Sequence, residues 1–234
     1  MSESLVSCLT CTFGRPKLLG EAVKCFIDQD YSNKELIVLN DQVGVELYIE
    51  NCPDNIRIYN HPYRFNSLGE KRNYIKTLGN GEYFCIWDDD DLYDSVRITE
   101  SIKMMHKGDY DIVKAKCALM SVNNSNYVIA NNLFHSQSCI TKKYMDKTNY
   151  PNKSVGEDID FEKDAKIYSG EIKPFLIYRW GLNIHHLSGI PDEKKSWEKS
   201  LHFPSYQQLK GRILINPVFK KNYWKDVENA LKMR

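Results

Sequence analysis

Gly81-Glu82-Tyr83-Phe84-Cys85-Ile86-Trp87-Asp88-Asp89-Asp90-Asp91 is the stretch on which the fold turns, an apolar and aromatic run of strand length that ends in four consecutive carboxylates. From Tyr83 to Trp87 the run is continuous rather than alternating, and it is bounded by Gly81 and by the acids. It therefore reads as a strand buried on both faces. A buried strand of an open α/β sheet delivers whatever follows it to the carboxyl edge, where the ligands of such sheets bind. Four adjacent carboxylates repel one another unless a cation shares them. A hard divalent ion, held by one or two carboxylates together with substrate phosphates, answers that description. A solvated acidic turn is the plainer reading of such a run; its place directly after a buried strand favours the metal.

Working outward, residues 5–13 read as a first strand ending at Gly14. Pro16 suits the first turn of a helix whose apolar face is Leu18, Leu19, Ala22, Val23, Phe26 and Ile27. Residues 35–39 form a second buried strand ending in Asn40-Asp41, a short helical piece is expected around residues 45–50, and residues 56–59 make a third strand. Ser67-Leu68-Gly69-Glu70 has the spacing of a capping box and opens a helix that leads to the Gly79-Asn80-Gly81 turn. Past the acids, Asp94-Ser95 caps a helix with Ile98, Ile102 and Met105 on one face, and residues 111–116 read as a strand. Asn123-Asn124-Ser125-Asn126 is a hairpin-like turn. Gly156-Glu157-Asp158-Ile159-Asp160-Phe161 opens a further helix with carboxylates at its positive end. Residues 172–178 form a strand, followed by Arg179-Trp180 and His185-His186, and helical segments are expected beyond Pro191. Strands alternating with helices make this an α/β chain with a mostly parallel sheet and right-handed crossovers.

The chain of 234 residues is long enough for a substantial core, and its net charge of +1 points to no nucleic-acid or membrane partner as a whole. The charge is unevenly placed: residues 191–234 hold ten Lys and Arg against five Asp and Glu, so that tail carries +5 and the remainder −4. No signal pattern opens the sequence and no stretch has the length of a transmembrane helix. Seven scattered cysteines do not make a disulfide framework. Cys8 and Cys11 are spaced C-x-x-C, but on a strand that spacing sends them to opposite faces. Reduced core thiols suit a cytoplasmic location.

The order of these pieces resembles glycosyltransferase family 2 and its GT-A-fold relatives. The resemblance is carried by a strand ending in Thr12-Phe13-Gly14-Arg15-Pro16, then Gln29 and Tyr31, then Glu35-Leu36-Ile37-Val38 running to Asp41. It continues through Lys71-Arg72-Asn73, the acid run in the place of the family's D-x-D motif, and Glu157-Asp158 in the place of its acidic pair, so it covers about residues 5–189. It implies a GT-A-type domain over residues 1–190, divided into a nucleotide-binding half (1–116) and an acceptor and catalytic half (117–190), with a basic-aromatic C-terminal appendage over 191–234. It also implies a nucleotide-sugar donor, with UDP as the expected nucleotide, held by Thr10, Thr12, Arg15, Asp41, Arg72, Asp88 and Asp89. The Mn²⁺ or Mg²⁺ ion would sit on Asp88 and Asp90, with His186 as a late ligand, and Asp158, supported by Glu157, would be the base of an inverting transfer. Two departures stand out. Asn40 replaces an acid after the second strand, and Tyr178-Arg179-Trp180 is only a fragment of the processive synthases' Gln-x-x-Arg-Trp signature.

Competing readings remain at this point. Acids in a helix's first turn stabilise it without catalysis, a histidine pair is commonly structural, and Arg72 could simply pair with a helix-face acid. A sugar-nucleotide pyrophosphorylase would share the fold, but its Gly-rich first loop is missing here. A haloacid-dehalogenase-type phosphatase places its D-x-D nearer the N-terminus, and a non-catalytic nucleotide-binding module is the third alternative. In the tail, Lys194, Lys195, Trp197, Lys199, Phe203 and Tyr206, then Lys220, Lys221, Tyr223 and Trp224, interleave charge with aromatics. That pattern suits acceptor binding or a peripheral contact with an anionic surface, and equally a helix packing its rings inward. The acceptor is open among a glycan, a lipid-linked glycan and a modified nucleic acid.

Overall fold

A computed structural model describes residues 3–122, 126–170, 174–180 and 209–232. Thirteen strands are described: β1 (Val6–Thr12), β2 (Lys34–Asn40), β3 (Val45–Tyr48), β4 (Ile56–Asn60), β5 (Tyr83–Ile86), β6 (Leu92–Tyr93), β7 (Ile112–Ala115), β8 (Ala118–Val122), β9 (Asn126–Ala130), β10 (Cys139–Thr141), β11 (Ile167–Gly170), β12 (Leu176–Trp180) and β13 (Gly211–Leu214). The α-helices among the described residues are α1 (Pro16–Ile27), α2 (Leu68–Lys76), α3 (Arg97–Met105), α4 (Lys142–Lys147), α5 (Glu157–Glu162) and α6 (Tyr223–Lys232).

The main sheet has seven strands in the order β11-β7-β10-β5-β1-β2-β4, all parallel to their neighbours except β10. The continuous apolar runs of β1, β2 and β5 are buried because side chains alternate between two cores. On one face Val6, Cys8, Leu36, Val38, Cys85 and Trp87 meet the apolar stripes of α1 and α3. On the other, Leu9, Ile37, Leu39, Phe84 and Ile86 meet Ile75 of α2, Tyr144 of α4 and Phe161 of α5. The alternation places Cys8 in one core and Cys11 against the other, and all seven cysteines are unpaired thiols.

From β1 the chain builds outward through β2 to β4, then crosses to place β5 on the opposite side of β1. The strand order thus reverses between β1 and β5, and a crevice at the carboxyl ends of such a pair is where open α/β sheets take ligands. Trp87, fully buried, fixes this edge. Its indole donates to the Ala22 carbonyl at 2.9 Å, its amide to Leu9, and its own carbonyl accepts from the Thr10 hydroxyl at 2.7 Å.

Two smaller sheets complete the described structure, one in the order β6-β12-β8-β9 and one formed by β13 beside β3. The helical piece expected around residues 45–50 is a strand instead. Val45 and Leu47 are buried while Glu46 is exposed, and the row pairs in parallel with Gly211–Leu214. The Asn60 side chain closes the other side by accepting from the Leu47 amide and donating to its carbonyl. A four-residue alternation is too short to outweigh a helical reading without sight of its distant partner. Of the turn expected over residues 123–126, residues 123–125 lie outside the described residues and Asn126 begins β9, which pairs antiparallel with β8 as expected. No helix among the described residues is long and apolar enough to cross a membrane.

Candidate active site

The four acids following β5 do not share one cation. Asp89 is buried under the β1 loop, where its carboxylate accepts from the Thr12 hydroxyl at 2.6 Å and from both Nε and Nη2 of Arg15. Burial pushes its carboxyl up to about 6, against the pull of the Arg15 guanidinium. Arg15 also reaches Asp90, with Nη1 2.6 Å from Oδ2. Asp91 is buried on the other side, where one of its oxygens accepts from the Arg179 amide at 3.1 Å. Asp88 faces a different cation, Arg72, at 3.5 Å, while its amide donates to the Tyr93 hydroxyl at 2.7 Å.

Arg72 joins two parts of the site. Ser67 caps α2 by accepting from the Glu70 amide, and further along the helix Arg72 reaches toward the acid run, its Nε 3.2 Å from Glu157. One guanidinium thereby ties the acid run to the start of α5. Burial raises the Glu157 carboxyl and Arg72 opposes the rise. Asp158 follows it in the first turn of α5, half-buried rather than buried. The helix starts from Gly156 in the left-handed conformation (φ 68°), which an L-residue adopts only with strain.

A second network anchors the far end of α5. Glu162 accepts from Lys114 at 2.5 Å and from Ser138 at 2.9 Å, and shares a 2.6 Å hydrogen bond with His135. His135 in turn meets the Tyr150 hydroxyl, and the Tyr150 ring stacks on Phe161 of α5. Burial alone would raise the Glu162 carboxyl, yet the His135 hydrogen bond and the Lys114 charge hold it down at about 2. A depressed carboxyl contributes stability that is full above its unfolded value and is lost as pH falls through its folded one. Acid titration from pH 4.5 to about 2 should therefore remove about 3 kcal/mol of stability through this residue. Glu162→Gln should flatten that part of the pH–stability curve in urea titrations, and an unchanged curve would contradict the assignment.

The other residues singled out from sequence fall as follows. Thr10 has its hydroxyl on the Trp87 carbonyl, between β1 and β5. Asp41, after β2, is fully buried and accepts from Lys71 at 2.5 Å, Arg64 at 2.8 Å and the Phe65 amide. Burial opposes its charged form, but Lys71 and Arg64 outweigh it and hold the carboxyl below the usual range. Lys71 also donates to the Thr12 carbonyl, so one lysine pins the β1 and β2 loops together, and Arg64 lies 3.6 Å over the Phe13 ring. His186 and the residues from Lys194 to Tyr206 lie outside the described residues. Sequence reasoning did not single out Lys71, Arg64 or Arg179 as partners of these acids. Each is a long-range contact, and only the apolar runs flanking the acids hinted that burial would demand counter-charges.

Asp88 and Asp90 are the two acids of the run that would hold a divalent ion, in place of part of their pairing with Arg72 and Arg15. They alternate, and their side chains keep 27% and 12% exposure while that of Asp89 has none. Among the described residues no three His, Cys, Asp or Glu side chains converge on one point. Two carboxylates with the remaining positions left to phosphates and water is a common way to hold Mg²⁺.

Comparison with known proteins places this arrangement. A curated Haemophilus influenzae protein described as an uncharacterized glycosyltransferase is 26% identical over 153 residues, 58% of this chain and 46% of its own. The chain thus spans about half the length of that relative. Among solved structures, S. aureus TarS 1–349 in complex with UDP-GlcNAc superposes with a TM-score of 0.64 at 14% identity, over 84% of this chain and 64% of that one. The mannosyltransferase PcManGT from Pyrobaculum calidifontis, in complex with GDP-Man and Mn²⁺, does so with a TM-score of 0.56 at 11% identity, over 100% and 75%. At those identities the two structures speak for the fold, a GT-A-like α/β sheet. The model of Glycosyl transferase family 2 matches residues 7–160, from β1 through the acid run to the Glu157-Asp158 pair, and the chain therefore belongs to that family of glycosyltransferases.

Proposed function

We propose that the chain transfers a sugar from a nucleoside-diphosphate donor, with UDP as the nucleotide, to a hydroxyl acceptor by single displacement with inversion. The observation that carries this reading is the Arg72 bridge, which brings the acid run and the Glu157-Asp158 pair to one crevice. TarS with UDP-GlcNAc and PcManGT with GDP-Man and Mn²⁺ support the donor class. In this reading residues 1–116 bind the nucleotide and residues 117–190 contribute the acceptor side. The unpaired cysteines suit the reducing cytoplasm.

Asp88 and Asp90 would hold Mn²⁺ or Mg²⁺, which when bound supplies Lewis-acid stabilisation of charge on the departing diphosphate. The chain's own groups do the rest. Arg15, already positioned by Asp89 and Asp90, places a guanidinium beside the site of that charge. Asp41, fully buried between Lys71 and Arg64, would shape the nucleotide end indirectly, through the β1 and β2 loops that Lys71 pins together. Asp158 takes the proton of the acceptor hydroxyl as its oxygen forms a bond to the anomeric carbon and the bond from that carbon to the diphosphate oxygen breaks. The carbon passes through an oxocarbenium-like state, as in glycoside hydrolysis.

Calorimetry with UDP and GDP, each with Mn²⁺ or with a chelator, tests the donor half, and a panel of nucleotide sugars then identifies the substrate by hydrolysis. UDP should bind, and bind more tightly with the ion. Affinity indifferent to chelation, or a clear preference for GDP, would contradict the proposal.

A further inference from the structure

The acid run is held from a direction that the proposed chemistry does not use. Arg179 of β12, fully buried, lies 88 residues beyond Asp91 in sequence, and its backbone amide donates to the Asp91 carboxylate. Its Nε donates to the Asp90 carbonyl, and its Nη1 lies 2.6 Å from Glu21 on α1. A guanidinium is a rigid planar fork, so fixing Nη1 also fixes the direction in which Nε meets the Asp90 backbone.

Glu21 is itself buried, and its other oxygen is taken by the C-terminal segment. The Tyr223 hydroxyl at the start of α6 donates to it at 2.7 Å, and the Lys220 amide at 3.1 Å. The seat for that segment is built into α1. A Cβ on Gly20 would lie 2.3 Å from the Asn216 carbonyl oxygen, so the chain at Asn216 rests directly on the helix backbone one residue before Glu21. Ile215 beside it is fully buried and bonds to Tyr48 of β3.

We infer that the C-terminal segment sets the position of the acid run through a buried Tyr223–Glu21–Arg179 relay, and that Arg179 is a positioning residue for the donor site. The functional half rests on the reading of Asp88 and Asp90 as donor-binding groups; the structural half does not. A buried carboxylate needs its partners to stay charged in place. Weakening Glu21 at the Tyr223 end should therefore loosen Arg179, and through it the backbone at Asp90 and Asp91, while β1, pinned by its own ladders, stays protected.

Hydrogen exchange on the full-length chain tests this, with Tyr223→Phe, Glu21→Gln and Arg179→Lys compared with the parent. Amides of residues 88–91 should exchange about tenfold faster in each variant while those of β1 keep their rate, as a local opening requires. Arg179→Lys keeps the charge pair but loses the fork, so it should show the faster exchange with a melting temperature close to the parent's. Tyr223→Phe removes a single hydroxyl and carries the test if Glu21→Gln fails to fold. In UDP titrations the variants should weaken binding in Mn²⁺ and leave binding in chelator unchanged. Exchange of residues 88–91 at the parent rate, or an equal acceleration of β1, would overturn the relay. A parent chain that binds no UDP would instead overturn the donor reading, and the exchange result would still decide the relay.

Discussion

Asp158→Asn should lower the rate of sugar transfer by about a hundred- to ten-thousandfold, the usual contribution of a positioned general base, and leave donor affinity nearly unchanged. An alcohol is a poor nucleophile at neutral pH, and the asparagine amide keeps the shape of the carboxyl but cannot take the proton. The two acids at the start of α5 are not equivalent. Glu157 is buried and committed to Arg72, so a proton taken up there would weaken the same bridge that holds Asp88. Asp158 is half-buried, and its helix is fixed at both ends, by Arg72 at Glu157 and by His135 and Lys114 at Glu162. Glu157→Gln should accordingly act more mildly on single-turnover transfer and more on UDP affinity. Near-full transfer by Asp158→Asn would refute its role, and a severe loss confined to Glu157→Gln would move the base to that residue.

Much of the scaffold was legible because local signals and tertiary structure agree. The continuous apolar run ending at Trp87 is the strand beside β1, Pro16 opens α1, and Ser67 caps α2 as the spacing implies. Legibility ended where a residue's state is set by a partner far along the chain. Val45–Tyr48 becomes a strand because Gly211–Leu214 lies beside it, and the sheet holding β12 depends on pairings that no local pattern announces. The same holds at the site. Reading a metal onto Asp88 and Asp90 from sequence does not foresee the protein's own partners for the run, which the structure divides among Arg15, Arg72 and the Arg179 amide. Sequence gives the sign of a charge cluster; past the end of β5 the direction of each carboxylate follows from the turn and from the cations that folding brings to it.

That separation leads to the second large effect. Asp90→Asn should weaken Mn²⁺ affinity by at least about a hundredfold, since even groups that only orient metal ligands are worth ten- to a hundredfold. Its cost to the fold should be small, because Arg15 keeps its paired bonds to Asp89 when Asp90 is neutral. Asp89→Asn is the contrasting case. Asp89 is fully buried and accepts from Thr12 and from two nitrogens of Arg15, so Asp89→Asn breaks that paired contact, leaves Arg15 its bond to Asp90, and should lower the melting temperature. The two substitutions are adjacent and remove the same charge, so a general electrostatic effect of the acid run would make their metal curves shift together. A site built on Asp88 and Asp90 requires them to part, with Asp90→Asn shifting the Mn²⁺ dependence of UDP binding at a parent-like melting temperature and Asp89→Asn lowering that temperature more than it shifts the metal curve. Should Asp90→Asn titrate with Mn²⁺ like the parent, Asp90 would hold no ion, and its role would reduce to pairing with Arg15.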